Sequence, residues 1–312
     1  MPGTDQLTPP TPSPDPGPPP GPRRVWTTVL SIVSIVALAG VLTAVISYGS
    51  TSSTSQERRP ITTSTAGAPS APRDPGDPVR PGGVATLDPS ARSGDEAGVK
   101  NNWPLTAHDE FDGGTLDESL WNTYTGKTTG GVGRHDPRNI TVADGVMTIT
   151  SRGLSSAGMA WDKGQQYGRW EVRARTQVGN GYSAVILLWP DAEDFPRGGE
   201  IDFMEQPKGD RTETHFVLHY GKDNSQTGVT VPGDFTQWHT YAVEWTPDHV
   251  AGFIDGQETF RTTDKEQIPP RPMHLAIQQD IGPFGNGWAE GPDATTPAEV
   301  KLDVDWVRIY GL

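Results

Sequence analysis

Val250-Ala251-Gly252-Phe253-Ile254-Asp255-Gly256-Gln257-Glu258-Thr259-Phe260 reads as two short segments joined by a two-residue turn. Asp-Gly supplies the positive φ values that a tight hairpin turn needs, so Val250 to Ile254 and Gln257 to Phe260 are expected to pair as antiparallel strands. Working outward, every segment from residue 103 onward is short, rich in β-branched and aromatic residues, and bounded by turn signals. No long stretch carries helical periodicity. This pattern predicts an all-β fold, a jelly-roll sandwich of two packed antiparallel sheets, one of whose faces forms a substrate cleft.

The chemistry is expected in Glu200-Ile201-Asp202-Phe203-Met204-Glu205, where three carboxylates lie within six residues among apolar side chains. On a regular strand Glu200, Asp202 and Met204 share one side and Glu205 points to the other. One residue bulged out near Phe203 or Met204 would return Glu205 to the side of the first two acids. A solvated face of a half-buried strand would produce the same alternation, but it has no need to gather three like charges, which costs stability. The flanks Leu188-Trp189-Pro190 and Gly198-Gly199 suit a place where a backbone or a sugar comes close. With the outer side chains leaning together, the two glutamates could approach to about 5 to 5.5 Å, the separation of a retaining glycoside hydrolase.

The first hundred residues are of another kind. Residues 1–22 are a Pro-rich, low-complexity tail that cannot bury a core. Arg23 and Arg24 then precede Val25 to Tyr48, 24 residues without a charge. As a helix these would span about 36 Å, enough to cross a hydrocarbon core. The segment 23–48 is therefore expected to be a transmembrane signal anchor, with the arginines and the N-terminus in the cytoplasm and the rest of the chain outside. Ala37-Leu38-Ala39 leaves open a cleaved signal peptide; both readings export the remainder of the chain. Residues 49–102, rich in Ser, Thr, Pro and Gly, read as a linker without regular structure. Nine of the ten Trp lie at or after position 103, so residues 103–312 are expected to be the folded domain.

There is no cysteine, which removes disulfides, thiolate nucleophiles and Cys-ligated zinc. A net charge of -14 argues against a nucleic-acid partner and suits a neutral polymer.

An ordered set of motifs around the acidic segment resembles glycoside hydrolase family 16, the laminarinase, lichenase and galactanase family. The matching residues are Asp109-Glu110-Phe111, Asn139-Ile140-Thr141-Val142, Asp144-Gly145, Tyr167 to Arg173, Trp238 to Tyr241, Glu244-Trp245, Ile254-Asp255-Gly256 and Asp305 to Tyr310. The resemblance covers the chain from about residue 103 to the end. It implies a jelly roll in which Glu200 is the nucleophile, Glu205 the acid and base, and Asp202 the carboxylate that tunes them.

It also implies sugar contacts from Asn139, Glu171 and Arg173, the last two being the polar side of Trp170 to Arg175, where a surface ion pair would look the same. Trp189 is expected to stack on a sugar or wall the subsite, unless it is a core residue of the apolar run before it. His219 matches a histidine beside the catalytic acids, against a structural role; His239 reads as structural. No cofactor is implied for catalysis. A structural Ca²⁺ on the face away from the cleft would be held by Glu110, the carbonyl of Gly145 and Asp305, residues that otherwise read as ordinary surface groups.

The sequence departs from the family pattern at two places. Phe195 stands where many relatives carry Trp, and His274-Leu275-Ala276-Ile277-Gln278-Gln279 replaces an Asn-Leu-Ala-Val-Gly-Gly-like segment. Gln278 and Gln279 would face the cleft, with Gln278 in contact with substrate. The expected activity is endo-acting, retaining hydrolysis of β-1,3 or mixed β-1,3/1,4 glucan by a monomer. A galactan or exopolysaccharide hydrolase of the same family, or a surface polysaccharide-binding module without hydrolysis, are the alternatives. The presence of all three acids favours the enzyme.

Overall fold

The computed structural model describes residues 83, 85, 87, 102–128, 132–284 and 287–312. The cytoplasmic tail, the membrane anchor and most of the linker expected from the sequence lie outside the described residues. Among the described residues no helix is long and apolar enough to cross a membrane.

Those residues form two large sheets and one small one. The first large sheet runs β13 (Ser225–Pro232), β12 (Glu213–Tyr220), β11 (Glu200–Gln206), β10 (Tyr182–Pro190), β17 (Met273–Ile281), β8 (Gly158–Trp161) and β2 (Trp121–Thr123). The second runs β16 (Gln257–Thr262), β15 (Val250–Ile254), β14 (His239–Trp245), β9 (Gly168–Thr176), β18 (Val300–Tyr310), β6 (Val146–Ser151) and β5 (Ile140–Ala143), with β1 (Leu105–Asp109) also on β18. The small sheet is β3 (Gly126–Lys127), β4 (Arg134–His135) and β7 (Ser155–Ser156). Every pairing within the large sheets is antiparallel. This is the all-β sandwich read from the short strands.

Turn chemistry sets the register. Asp255 and Gly256 both take positive φ, 50° and 76°, so the hairpin closes with Ile254 opposite Gln257. Asp255 is held further by its carboxylate, which accepts from the Thr240 amide at 2.9 Å and meets His239 Nδ1 at 2.6 Å. His239 is thus structural. Next door, Gly252 admits the ring of Phe216, since a Cβ there would lie 2.3 Å from Phe216 Cδ2.

Alternation on each strand then builds the core. Trp170, Val172 and Ala174 from β9 and Val243 and Trp245 from β14 meet Ala184, Ile186 and Leu188 from β10 and Leu275 and Ile277 from β17. Removing such side chains from water contributes about 1.5–3 kcal/mol each.

The other side of β9 is the outer face of the second sheet, and it carries a buried charge network. Arg169, 4% exposed, donates to Glu171 at 2.7 Å and to Glu244 at 2.9 Å, with its guanidinium over the Phe253 ring. Tyr310 donates to the second oxygen of Glu171.

Chain from before residue 103 belongs to the fold as well. The Ala85 amide donates to the Thr230 carbonyl at 3.1 Å, the Thr230 amide donates to the Gly83 carbonyl at 2.9 Å, and Ala85 and Leu87 pack on the core. Gly83, Ala85 and Leu87 carry no regular secondary structure, but apolar Ala85 and Leu87, two apart, present one side to the core.

Replacing Arg169 by Met leaves two buried carboxylates without their shared cation. The expected cost is about 3 kcal/mol or more, a loss of at least ~6 °C in a domain of this size by thermal melting.

Candidate active site

The acidic strand contains the extra residue expected near Phe203. On β10, Ile186 pairs with Met204 and Leu187 with Asp202, so Phe203 has no partner of its own. On β12 the register likewise slips between Asp202, opposite Val217, and Glu205, opposite His215. As a result Phe203 and Met204, neighbours in sequence, both enter the core with Ile201. Glu200, Asp202 and Glu205 are left together on the outer face of the first sheet.

The end of the strand is fixed by Arg211, 1% exposed, which donates to the carbonyls of Gln177, Tyr182, Gln206 and Lys208. Burial draws this guanidinium down to about 10, against the opposing charge of Asp210.

The floor beneath the acids is apolar: Val185, Leu187, Trp189, Ala160, Ala276 and the ring of Tyr124. Glu200 and Asp202 are 3% and 4% exposed. In such surroundings an ionised carboxylate is costly, and like charges cannot all ionise at neutral pH. Glu205 carries the consequence: burial first, then the charge of Asp202, push its carboxyl up to about 8, against the Trp288 hydrogen bond and the His219 charge. It is protonated at pH 7 and suited to act as a general acid.

His219 has the complementary role. Its Nε2 lies 3.3 Å from Asp202 Oδ2 and its Nδ1 2.8 Å from Asn224 Oδ1. Burial opposes the charged ring, but the bond to Asp202 and the charges of Glu200 and Asp202 prevail and raise it to about 9. The imidazolium thus sets a positive charge beside Glu200 and Asp202, while Glu205 keeps its proton. Donor atoms of Glu200, Asp202 and His219 all lie within 4.8 Å of one another, a set close enough to share a cation. His219 as a cation already provides the positive charge there.

Other residues expected at the site fall at varying distances from the acids. Trp189 is on the acidic face, opposite His274 on β17, but is only 3% exposed. Phe195 stacks on it at 5.2 Å and Glu193 takes its indole N–H, so Phe195, edge-on to His219, is the aromatic nearer solvent. Gln278 pairs with Val185, itself opposite Glu205, and donates to Asp280 at 2.7 Å. Gln279 turns the other way, toward Ser151. Asn139 donates to Ser155 and the Ser156 carbonyl and so pins the small sheet.

Glu171 and Arg173 do not reach the acids. The expectation that the polar side of their strand lines the cleft is corrected: β9 lies in the second sheet, and its polar side faces away from the acidic strand. Arg173 pairs with Asp305, and Arg308 pairs with Glu110 at 3.0 Å. The two carboxylates expected to hold Ca²⁺ thus have guanidinium partners, while Gly145, at φ 75°, forms the turn between β5 and β6. A Ca²⁺ bound there would have to displace Arg173 from Asp305 and Arg308 from Glu110.

Two features escaped the sequence reading. Trp288, from the long connection before β18, donates from Nε1 to Glu205 Oε1 at 2.5 Å and packs against the His215 ring at 4.7 Å. The small sheet lies along β17, where His135 Nε2 contacts Asp280 at 3.0 Å. Around it Tyr124 Oη, Thr128 Oγ1, His135 Nδ1 and Gln278 Oε1 are buried with no hydrogen-bond partner.

With this geometry in hand, the comparisons with known proteins decide the family. The model of glycosyl hydrolases family 16 matches residues 131–308, more than half of the chain. The chain belongs to that family. It is a glycoside hydrolase.

A β-glucanase of Rhodothermus marinus is 28% identical over 246 residues, 67% of this chain and 85% of that one. A glucan endo-1,3-β-glucosidase A1 of Niallia circulans is 25% identical over 69% of this chain, which spans 38% of that longer protein. Among solved structures, the laminarinase from Rhodothermus marinus superposes with a TM-score of 0.60 at 26% identity, covering 67% of this chain and 97% of that one. The laminarinase catalytic domain from Thermotoga maritima gives 0.61 at 24% identity and supports the jelly-roll fold.

Two measurements check the electrostatics. The alkaline limb of kcat/KM is expected near pH 8, where Glu205 loses its proton, and Asp202→Asn, by removing a negative charge beside it, is expected to move that limb to lower pH. EDTA is expected to leave the melting temperature unchanged; a chelator-induced drop reversed by Ca²⁺ would mean that the arginine pairs open to admit the ion.

Proposed function

We propose that the protein is an endo-acting, retaining β-glucanase for β-1,3 or mixed β-1,3/1,4 glucan. The observation that carries this reading is the gathering of Glu200, Asp202 and Glu205 on one face by the extra residue in β11. The names of the similar β-glucanases and laminarinases support the substrate class.

In the first step the carboxylate of Glu200 attacks the anomeric carbon while protonated Glu205 gives its proton to the leaving oxygen, forming a covalent glycosyl-enzyme. In the second, ionised Glu205 takes a proton from water, which displaces Glu200 and regenerates the acid. Asp202, bridged to His219, keeps the charge on its strand fixed between the two steps. The apolar floor and the half-buried ring of Phe195 suit the faces of sugar rings.

The same reading gives the chain an exported location. Val25 to Tyr48 would hold the hydrolase at the outer surface of a membrane, and the substrate would be an extracellular polymer.

Reducing-sugar release from laminarin, lichenan, agarose and carrageenan tests the substrate class, with activity expected on the first two. Glu205→Gln is expected to lower hydrolysis about 10²- to 10⁴-fold, and Glu200→Gln at least as much. Release from agarose or carrageenan alone would move the protein to the galactan branch, and binding of laminarin without release would make it a receptor.

A further inference from the structure

Trp288 touches the catalytic carboxyl yet has no part in the two-carboxylate scheme. It sits in the connection between β17 and β18, which folds back on itself: the Gly282 amide donates to the Gly181 carbonyl, the Phe284 amide to the Ala289 carbonyl, and Thr296 Oγ1 to the Asn180 carbonyl. Phe284 and Ala289 are buried, so the segment that presents Trp288 is anchored on both sides of the ring. The indole is then wedged by His215, the residue opposite Glu205 on β12, whose own Nδ1 lies 3.0 Å from Thr230 Oγ1.

An indole N–H can only donate. At 2.5 Å from Glu205 Oε1 it requires that oxygen to be an acceptor, whether the carboxyl is protonated or not. The two oxygens of Glu205 are therefore unequal, and the acid's proton is confined to Oε2.

We propose that Trp288 is a positioning residue for the glycosidase reaction, which fixes the catalytic proton on Glu205 Oε2 and turns that oxygen toward the scissile bond. The inference rests on the glycosidase reading above. In the first step the proton leaves Oε2 for the glycosidic oxygen as the bond from that oxygen to the anomeric carbon breaks and the bond to Glu200 forms. In the second, Oε2 takes a proton from water as the bond to Glu200 breaks. Throughout, Trp288 keeps Oε1 engaged, so Glu205 cannot rotate to offer the wrong oxygen. The same contact stabilises the ionised form that the second step needs, opposing the effect of burial.

The titratable groups near Glu205 are Glu200 and Asp202 on its own strand, His215 and His219 on β12 with Glu213 beyond His215, and Asp280 on β17. None of them can replace a donor held at Oε1 by the connection to β18.

The test is Trp288→Phe, which keeps an aromatic ring against His215 and removes the N–H. The expected result is a loss of about ten- to hundredfold in kcat/KM on a β-glucan oligosaccharide, with the alkaline limb displaced to higher pH because ionised Glu205 has lost a donor. On the dinitrophenyl glycoside of the same oligosaccharide, whose leaving group needs no proton, the loss should fall below about threefold. Equal losses on both substrates with an unmoved limb would overturn the proposal and leave Trp288 as a packing residue.

In the wild-type protein the Trp288 indole N–H resonance, assigned by its through-space contact with the His215 ring, should titrate with Glu205 and cease to do so in Glu205→Gln. A resonance that ignores Glu205 overturns the contact even if the variant misfolds. If the wild type cleaves no β-glucan while that resonance titrates as expected, the substrate reading fails and the contact stands.

Discussion

One residue too many in β11 gathers three carboxylates onto one face and makes that strand the candidate reaction site. A strand of strict alternation would have sent Glu205 into the core, where a carboxylate cannot remain charged, or exposed Met204 to water. Accommodating Phe203 and Met204 in succession places both apolar side chains inside and keeps three carboxylates outside. The arrangement is electrostatically adverse, and the surrounding elements respond to it in order of proximity. His219 supplies a positive charge between two of the acids, Glu205 retains its proton, and Trp288 provides the donor that makes the proton's position definite.

The second sheet shows the same charges used for another end. Arg169 lies between Glu171 and Glu244, and Arg173 and Arg308 each take a carboxylate of the pair that sequence resemblance assigned to a metal. In the first sheet three acids lie about one imidazolium; in the second, Glu171 and Glu244 share Arg169 while Glu110 and Asp305 each have a guanidinium of their own. What separates a site from a scaffold here is the ratio of acids to fixed cations.

The legible parts of the sequence were those governed by local rules. Asp255-Gly256 dictates a turn by its φ preferences alone, and the spacing of Glu200, Asp202 and Glu205 is chemically unreasonable unless a strand is kinked. Alternation also separated the two sides of β9 correctly. It could not say which sheet β9 joins, because strand pairing is set by partners far along the chain, and so Glu171 and Arg173 were assigned to the wrong surface. Trp288 lies in a connection with no period to read, and its partner is 83 residues away. The small sheet is built of two-residue strands, too short for any pattern to register, and Gly83, Ala85 and Leu87 sit in a stretch whose composition otherwise speaks of a spacer.

That upstream stretch bears on how the molecule behaves in company. β13 is the last strand of the sheet that carries the acids, and its outer rim of amides and carbonyls would be a ready template for a neighbouring copy. By bonding Gly83 and Ala85 to Thr230, the chain occupies part of that rim with its own backbone. Edge-to-edge stacking of sheets begins at an unpaired strand, so this cover withholds from a second copy the place where such stacking would start.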